Sequence, residues 1–260
     1  MDFHYLGHTW EDNCKEESLL GISMTGVADN PEFINLDLEE ASDEAMETNK
    51  YIAEKIGINK AARVTCLKPE GSSSLVLGTA SGIHGRHAPF YIRRFRFKRN
   101  EPIIVYFASK FPTLVVEDKF DPDTLILELP QKSPSGSIMR EEPAHKTLER
   151  AQYFHKHWVA PGHRSGPNGH NVSVTVSVKE DEWDSVGKWM WENRNNYNGI
   201  SLLPYDGGSY VQAPFEDCTE ETYNKMMEQL KEVDLSEVIE DDDTTTRVTE
   251  VACSGGKCDL

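Results

Sequence analysis

Segments typical of β-strands alternate with segments typical of α-helices along most of this 260-residue chain, and this alternation limits the fold more than any other feature. The apolar stretches AARVTCL, DTLILELP, NVSVTVSV and GISLLPYDGG are typical of strands, and the first and last of them are predicted to be buried. LDLEEASDEAMETNKYIAEKIGI and KEDEWDSVGKWMWENRNNY instead place apolar residues at helical spacing. The alternation predicts an α/β fold with largely parallel strand pairing.

Further segments complete the predicted elements. LGISMTGVADN indicates a strand that runs into a turn, and YIRRFRFKR a strand in which aromatic and basic residues alternate. PIIVYFASK is predicted to be a helix that stops before Pro112. CTEETYNKMMEQLKEV is predicted to be the last helix, opened by the capping pair Asp217 and Glu220.

The pattern of elements ends near Asp234. Residues 234–260 are acidic, rich in threonine and poor in large apolar side chains, which is typical of a disordered segment. The sequence therefore predicts one folded part over residues 1–233 and a flexible acidic tail over residues 234–260.

Charge and hydropathy limit the classes of partner that the chain is expected to bind. The formal net charge is −17, which repels phosphate backbones and anionic membrane surfaces, so nucleic acid and membrane are not expected as partners. No run of eighteen apolar residues occurs, and the N-terminus lacks the pattern of a secretion signal. We expect a cytoplasmic protein. Its five cysteines, an odd number without dense spacing, disfavour a disulfide scaffold.

The segment KPEGSSS follows a predicted strand and precedes a predicted short helix. A helix that begins in such a loop offers an anion free backbone N–H groups, the positive end of the helix dipole and hydroxyl groups. Gly71 permits close approach of the backbone, and Ser72, Ser73 or Ser74 can cap the helix. The spacing alone leaves two readings open, a phosphate site or serines that cap a helix and bind nothing.

Several long stretches of the chain carry a family resemblance. In chain order they are TCLKPEGSSSLVLGTASGIH, HWVAPGHRSGPNGHNVSVTVSVKEDEW, ENRNNYNGISLLPYDGGSYVQAPFED and CSGGKC. They resemble segments of the ribonucleotide reductases, and in particular of the adenosylcobalamin-dependent ribonucleoside-triphosphate reductases. The resemblance implies that the chain is the C-terminal part of a ten-stranded α/β barrel, followed by a flexible tail.

The resemblance assigns a role to the strand, loop and helix around KPEGSSS. In the family this loop holds the phosphate groups of the ribonucleotide substrate, mainly through main-chain N–H groups. The residues that match it here are Lys68, Pro69, Gly71, Ser72, Ser73 and Ser74. Glu70, an acid beside an anion, is not expected to be a direct ligand.

Two cysteines close to the C-terminus match the redox-active pair of the family. There such a pair reduces the active-site disulfide by thiol exchange and then passes its oxidation to thioredoxin or glutaredoxin. Cys253 and Cys258 stand at those positions, separated by SGGK, which supplies flexibility and a nearby cation. A zinc site is disfavoured because no second cysteine pair with matching spacing accompanies them.

One part of the family's chemistry has no counterpart in these 260 residues. The radical-forming cysteine of the family lies in an Asn-Pro-Cys-x-Glu motif, and this sequence has none; Cys14 sits in DNCKEE without the proline. We therefore expect the radical cysteine and most of the adenosylcobalamin site on a second polypeptide, an N-terminal reductase half joined by association or protein splicing. On this hypothesis the chain is inactive alone.

Other residue clusters are interpreted as structural. No metal site is predicted from His155, His157, His163 and His170, because positions i and i+2 on a helix point to different faces. RRFRFKR is interpreted as a solvated strand face or a contact with the missing half rather than a phosphate stripe. Cys66 is interpreted as a buried strand residue and Cys218 as structural. Pro204-Tyr205, where iron-dependent reductases carry paired tyrosines, favours the cobalamin class.

Two rival functions stay open from the sequence. One is an inactive remnant that binds a partner or a phosphate compound without catalysis, and the other is a small thiol-redox carrier. The sequence does not decide between a diphosphate and a triphosphate substrate, and it does not identify allosteric effectors.

Overall fold

A computed structural model describes residues 7–205, 207 and 210–239 of the chain. These residues form two compact units. The first unit comprises residues up to Arg86 together with Ser135–Tyr205, and the second comprises His87–Pro134 together with the described residues after Tyr205.

The described residues form both helices and strands, as the sequence predicts, but without strict alternation, and the predicted strands LGISMTGVADN and AARVTCL form only isolated bridges. The α-helices are α1 His8–Glu17, α2 Leu38–Ile56, α3 Gly71–Leu77, α4 Pro102–Lys110, α5 Ala144–Phe154, α6 Trp183–Glu192 and α7 Glu220–Leu230. The strands are β1 Phe90–Lys98, β2 Val115–Glu117, β3 Thr124–Lys132, β4 Thr175–Val178, β5 Ser201–Pro204 and β6 Phe215–Asp217. The α/β class of the sequence prediction is therefore confirmed.

The first unit is built on extended segments that run parallel to one another. β4 pairs in parallel with β5, and single parallel bridges join Leu67 to Val172 and Ile22 to Thr65. The bridges continue the parallel arrangement from β5 and β4 to the segment 63–67 and on to Ile22. The prediction of parallel pairing is correct for this unit.

The core of the first unit lies between these extended segments and the helices. Leu67, Val172 and Val176 are buried against Leu148 and Phe154 of α5, and Val186 of α6 joins the same cluster. Runs of valine and leucine suit strands that are covered by helices. This packing fixes the segment 63–67, and with it the loop that follows.

The second unit contains an antiparallel sheet in the order β2-β3-β1-β6. β1 and β3 pair over nine residues, from Phe90 opposite Lys132 to Lys98 opposite Thr124. The expectation of largely parallel pairing is wrong for this unit, where the pairs β1–β3, β1–β6 and β2–β3 are all antiparallel. Ile104 and Phe107 of α4 pack with Leu127 of β3 in the core of this unit.

Three local predictions need correction. α7 is capped by Thr219, whose Oγ1 accepts a hydrogen bond of 3.1 Å from the Thr222 N–H, and not by the predicted pair Asp217 and Glu220. β5 is not a buried strand, since Leu203 is 55% exposed. The helices α1 and α5 were not predicted, and α5 continues into a π-helical turn at His155–Val159.

The first residues of the predicted tail contact α4. The backbone N–H of Asp234 donates to the Tyr106 hydroxyl at 3.0 Å, and Lys110 pairs with Glu237 at 2.6 Å. The remainder of the predicted tail, from residue 240, lies outside the described residues. No helix in the described part of the chain is long and apolar enough to cross a membrane.

Candidate functional site

The segment that resembles the family's phosphate loop connects the buried segment 63–67 to α3. Leu67 is fully buried and hydrogen-bonded on both sides to the chain around Val172, so the loop starts from a fixed point. The Lys68 N–H then donates to Ser23 Oγ at 3.0 Å. Lys68 itself is exposed, while Pro69 and Glu70 are half-buried.

The N-terminus of α3 presents unpaired backbone donors. Glu70 is the N-cap and its side chain makes no capping hydrogen bond to the helix backbone. The first N–H groups of a helix have no partner inside it. Within the described residues no hydrogen bond involves the backbone N–H of Gly71, Ser72 or Ser73. Three donors and the positive helix end therefore face outward at one place.

The three serines of the loop differ in their surroundings. Ser74 is buried, with 4% of its surface exposed, and its hydroxyl donates to the Glu70 carbonyl one turn earlier. The exposed Ser73 hydroxyl donates to the Glu70 carboxylate at 2.9 Å. Ser72 is exposed. The Ser72 hydroxyl is therefore exposed at the start of the helix, whereas the Ser74 hydroxyl is bound to the backbone of its own helix.

A cavity of about 370 Å³ opens beside the loop, in the first unit. Its lining residues come from three neighbouring extended segments: Leu19, Leu20, Gly21, Cys66, Lys68, Gly169, His170 and Asn171. Cys66 and Lys68 lie on one face of the segment 63–68, whereas Leu67 between them enters the core. The cavity therefore lies on the face opposite the helices.

A second cavity of about 220 Å³ shares Gly169 and His170 with the first. It is also lined by His155, Val159, Ala160 and His163 around the π-helical turn. His170 Nδ1 lies 3.0 Å from the Thr65 carbonyl and therefore carries the proton. Burial lowers the pKa of His155. Within the described residues no cluster of His, Cys, Asp or Glu has the geometry of a metal site.

Burial works against thiolate formation at Cys66 beside the first cavity and, separately, at Cys218 of the second unit. Burial raises the pKa of the Cys66 thiol, and nearby Lys68 lowers it by less. Burial likewise raises the pKa of Cys218, with help from Asp217. Cys66 is half-buried beside the cavity rather than fully buried as expected. Cys253 and Cys258, the predicted redox pair, lie outside the described residues.

Sequence reasoning missed the residues that hold the loop and line the cavities. Ser23, which accepts from Lys68, belongs to the predicted strand LGISMTGVADN, and its alternation with Thr25 was the available signal. His170, like the cavity residues His155 and His163, was considered only for a metal site, and Asn171 was not singled out. Their approach to Cys66 depends on the parallel pairing of distant segments, which local patterns do not reveal.

The fold of the chain matches that of a solved enzyme. The structure of a B12-dependent (class II) ribonucleotide reductase superposes with a TM-score of 0.68 at 19% sequence identity, over 84% of this chain and 34% of that one. An α/β fold of the class II reductase type is thus established for the described chain. The full ten-stranded barrel stays a prediction.

Sequence comparison finds similar proteins that carry the name of the same kind of enzyme. Adenosylcobalamin-dependent ribonucleoside-triphosphate reductase from Lactobacillus acidophilus is 26% identical over 82% of this chain and 28% of its own length. The enzymes of that name from Euglena gracilis and Lactobacillus leichmannii are 26% and 27% identical over 92% and 79% of this chain. No family model matches the chain.

These relatives confirm the resemblance to the adenosylcobalamin-dependent ribonucleotide reductases. The chain spans less than a third of the length of its Lactobacillus acidophilus relative.

Proposed function

We propose that this chain supplies the substrate-phosphate site of a ribonucleotide reductase and the thiol pair that restores its reduced state. The observation that carries the first part is the set of unpaired N–H groups at Gly71, Ser72 and Ser73. They lie in the segment that resembles the phosphate loop of a family to which the relatives and the fold point.

The site suits phosphate oxygens through backbone donors. Hydrogen bonds from N–H groups to an anion are charge-assisted and stronger than those between neutral groups. The exposed Ser72 hydroxyl and the Lys68 ammonium group stand next to these donors in the chain. Together they hold the phosphates of a ribonucleotide while its ribose extends toward the cavity beside Cys66.

The thiol part of the proposal rests on the sequence of the tail. Cys253 and Cys258 act as a dithiol that reduces a disulfide by thiol exchange and is then reduced by thioredoxin or glutaredoxin. The radical cysteine comes from residues outside this sequence, on an N-terminal reductase polypeptide. In this division of labour the chain alone does not turn over substrate.

Adenosylcobalamin is the cofactor for which the relatives are named. The two cavities described above do not enclose it by themselves, because they measure about 370 and 220 Å³. Pockets that enclose drug-sized ligands measure roughly 300 to 1,000 Å³, and a corrin is larger than such ligands. We therefore assign the cofactor mainly to the other polypeptide, where it supplies the radical chemistry.

Two substitutions at Gly71 test the phosphate site, because they differ in whether residue 71 keeps its backbone N–H group. Gly71→Ala keeps the N–H, and the added Cβ meets no heavy atom within 4 Å. Gly71→Pro removes the N–H, and proline is tolerated at the first position of a helix after an extended residue such as Glu70. The two variants thus differ in the donor that the proposal requires.

The measurement is a titration of the full chain with inorganic triphosphate and with a ribonucleoside triphosphate, followed through the amide signals of residues 71–73 by NMR. The alanine variant should bind within about twofold of wild type. The proline variant should bind about tenfold more weakly, because a hydrogen bond to a charged group contributes about 1.5 kcal/mol or more. Equal affinity of the two variants, or wild-type signals that do not move, would contradict the phosphate site.

A reconstitution assay tests the thiol pair and separates the rival functions. Mixed with a polypeptide that bears the Asn-Pro-Cys-x-Glu motif, adenosylcobalamin and thioredoxin, the chain should form deoxynucleotide, and Cys253→Ser should abolish turnover whereas Cys14→Ser should not. No product at saturating partner would favour the inactive remnant. Disulfide exchange with thioredoxin that needs neither partner nor nucleotide would favour the small redox carrier.

A further inference from the structure

The segment Ser23–Asp29 of the first unit makes side-chain contacts with both ends of the loop and helix 68–82. At the start, Ser23 Oγ accepts the Lys68 N–H at 3.0 Å. At the end, Thr25 Oγ1 accepts the Gly82 N–H at 3.0 Å and donates to the Ala80 carbonyl at 2.9 Å. One segment therefore holds the chain on either side of α3.

Asp29 extends these contacts to the turn that follows α3. Its Oδ2 atom accepts the Ala80 N–H at 2.7 Å, so that both backbone groups of Ala80 are bound by the segment. Its carboxylate also accepts two hydrogen bonds from Arg86, at 2.7 and 2.8 Å. Arg86 is 9% exposed and donates in turn to the carbonyl of Gly78, the C-cap of α3, at 2.6 Å.

The backbone between Thr25 and Asp29 fits closely against the same turn. Gly26 has a positive φ of 79°, and a Cβ atom there would lie 3.2 Å from Thr79 Cβ. Its N–H donates to the Ala80 carbonyl at 2.8 Å. A shift of residues 25–29 would therefore also shift residues 78–82, which they contact.

We propose that Ser23, Thr25 and Asp29 are positioning residues that fix the direction of α3 and thereby aim the N–H groups of Gly71, Ser72 and Ser73 at phosphate. The inference rests on the proposed function, because it names what keeps that site in register. α3 has only two turns, and Leu75, Val76 and Leu77 on it are exposed. The described structure thus gives the helix little apolar packing, and its direction depends on the polar contacts at its ends.

The charge of Asp29 is suited to this role. Hydrogen bonds from Arg86 and the Ala80 N–H lower its pKa and outweigh the opposing effect of burial, so the carboxylate stays ionised at neutral pH. A carboxylate that accepts from a buried arginine and a backbone N–H holds both donors more firmly than a neutral group does.

Isosteric substitutions separate positioning from general stability. Thr25→Val keeps the side-chain shape and removes the hydroxyl contacts to residues 80 and 82. Asp29→Asn keeps the shape but removes the negative charge and one of the two accepting oxygens, so it cannot accept all three hydrogen bonds from Ala80 and Arg86. Thr147→Val and Glu142→Gln are matched controls in the same unit. Glu142 pairs with the buried Arg150 at 2.5 Å and accepts from Thr147 at 2.9 Å, and neither residue contacts residues 68–82.

The experiment measures inorganic triphosphate affinity by NMR, amide hydrogen exchange at Lys68, Ala80 and Gly82, and the free energy of unfolding of each full-length variant. Thr25→Val and Asp29→Asn should weaken affinity about tenfold and speed exchange at Ala80 and Gly82. Thr25→Ser should restore affinity to within about twofold of wild type. The controls should bind as wild type does, even where their loss of stability is equal.

The outcomes keep the two proposals apart. The positioning role is overturned if both positioning variants bind as tightly as the controls, or if affinity falls only in proportion to stability across all four variants. If wild type itself shows no triphosphate-induced shifts at residues 71–73, the proposed phosphate site fails. In that case amide exchange tests the positioning role by itself. Unchanged exchange at Ala80 and Gly82 in both Thr25→Val and Asp29→Asn would overturn that role.

Discussion

The start of α3 in the first unit and strand β1 in the second unit differ in whether their hydrogen-bond donors already have partners. In the first unit the donors at the start of α3 are backbone N–H groups without partners among the described residues. In the second unit the basic side chains of β1 are engaged by carboxylates and carbonyls of that unit. RRFRFKR is the denser run of cations, but Arg94 and Arg96 within it are paired with carboxylates.

The arginines of β1 show how their charge is used. Arg94, which is 9% exposed, pairs with Glu128 and with Glu216 at 2.6 Å each and donates to the Ala213 carbonyl. Arg96 pairs with Asp118 at 2.9 Å, and Arg93 lies over the ring of Phe215 at 4.1 Å. These side chains connect β1 to its neighbours in the sheet and in the loops of the same unit.

The difference teaches that the density of basic residues is a poor guide to anion binding in an acidic protein. With a formal net charge of −17, most cations find a carboxylate inside the fold. A backbone N–H at a helix start has no such competitor unless a side chain caps it. The interpretation of RRFRFKR as a solvated strand face is wrong for Arg94, which is 9% exposed and paired within its unit. The alternative, a contact with a missing half, stays a prediction.

The largest effect is expected from Arg94→Met in the second unit. Removing one partner of a buried ion network leaves Glu128 without its cation and should lower the free energy of unfolding by about 3 kcal/mol. Urea denaturation measures this change, and triphosphate affinity at α3 should stay that of wild type. Arg99→Met, which breaks the exposed pair with Glu117, serves as the control and should cost about 0.5 kcal/mol or less.

If Arg94→Met bound triphosphate more weakly than wild type and Arg99→Met did not, the contrast between the units would be wrong. β1 would then contribute to the phosphate site.

A smaller effect is expected from Lys68→Met in the first unit. Lys68 is exposed at the cavity, so its charge should strengthen triphosphate binding by about threefold at low salt, and much less at about 1 M salt, where the Debye length is about 3 Å. Titrations at both salt concentrations measure the difference. Lys60→Met, an exposed lysine of the same unit that pairs with Glu54, is the control.

If Lys68→Met abolished binding at every salt concentration, the side chain and not the backbone would dominate the site.

The smallest effect concerns His84, which joins the segment after α3 to β4. Its Nε2 accepts the Thr175 N–H at 3.1 Å and its Nδ1 donates to the Ser81 carbonyl, so the ring is neutral. Burial lowers the pKa of His84 from its ordinary value of 6.5, so the unfolded chain binds the proton more readily than the folded one. Stability from this contact is present at pH 7.5 and decreases as the pH falls below about 6.5.

Unfolding free energies of wild type and His84→Gln, measured between pH 7.5 and 5.5, check this sign. The variant should show the shallower loss of stability, and His8→Gln, at a fully exposed position, is the control. Equal slopes for wild type and His84→Gln would show that the ring is not held neutral by the fold.

Local patterns in the sequence were sufficient for several elements. The stripe of α2, the alternation of β1 and the stop of α4 before Pro112 each predicted an element that the structure contains. The loop before α3 was also predictable, because Pro69 and Gly71 interrupt an apolar run. α5 escaped prediction although its polar face and buried stripe are clear in the structure.

The sequence by itself determined the α/β class, the position of the phosphate-loop candidate and the family resemblance that the relatives confirm. Each of these depends on neighbouring residues or on long runs of similar sequence. Only the tertiary structure decided that β1 and β3 pair antiparallel, that Arg94 and Arg96 of β1 are paired with carboxylates, and that Thr25 and Asp29 hold the end of α3. Those outcomes join residues more than twenty positions apart, and hydrogen bonds over such separations follow from packing rather than from local propensity.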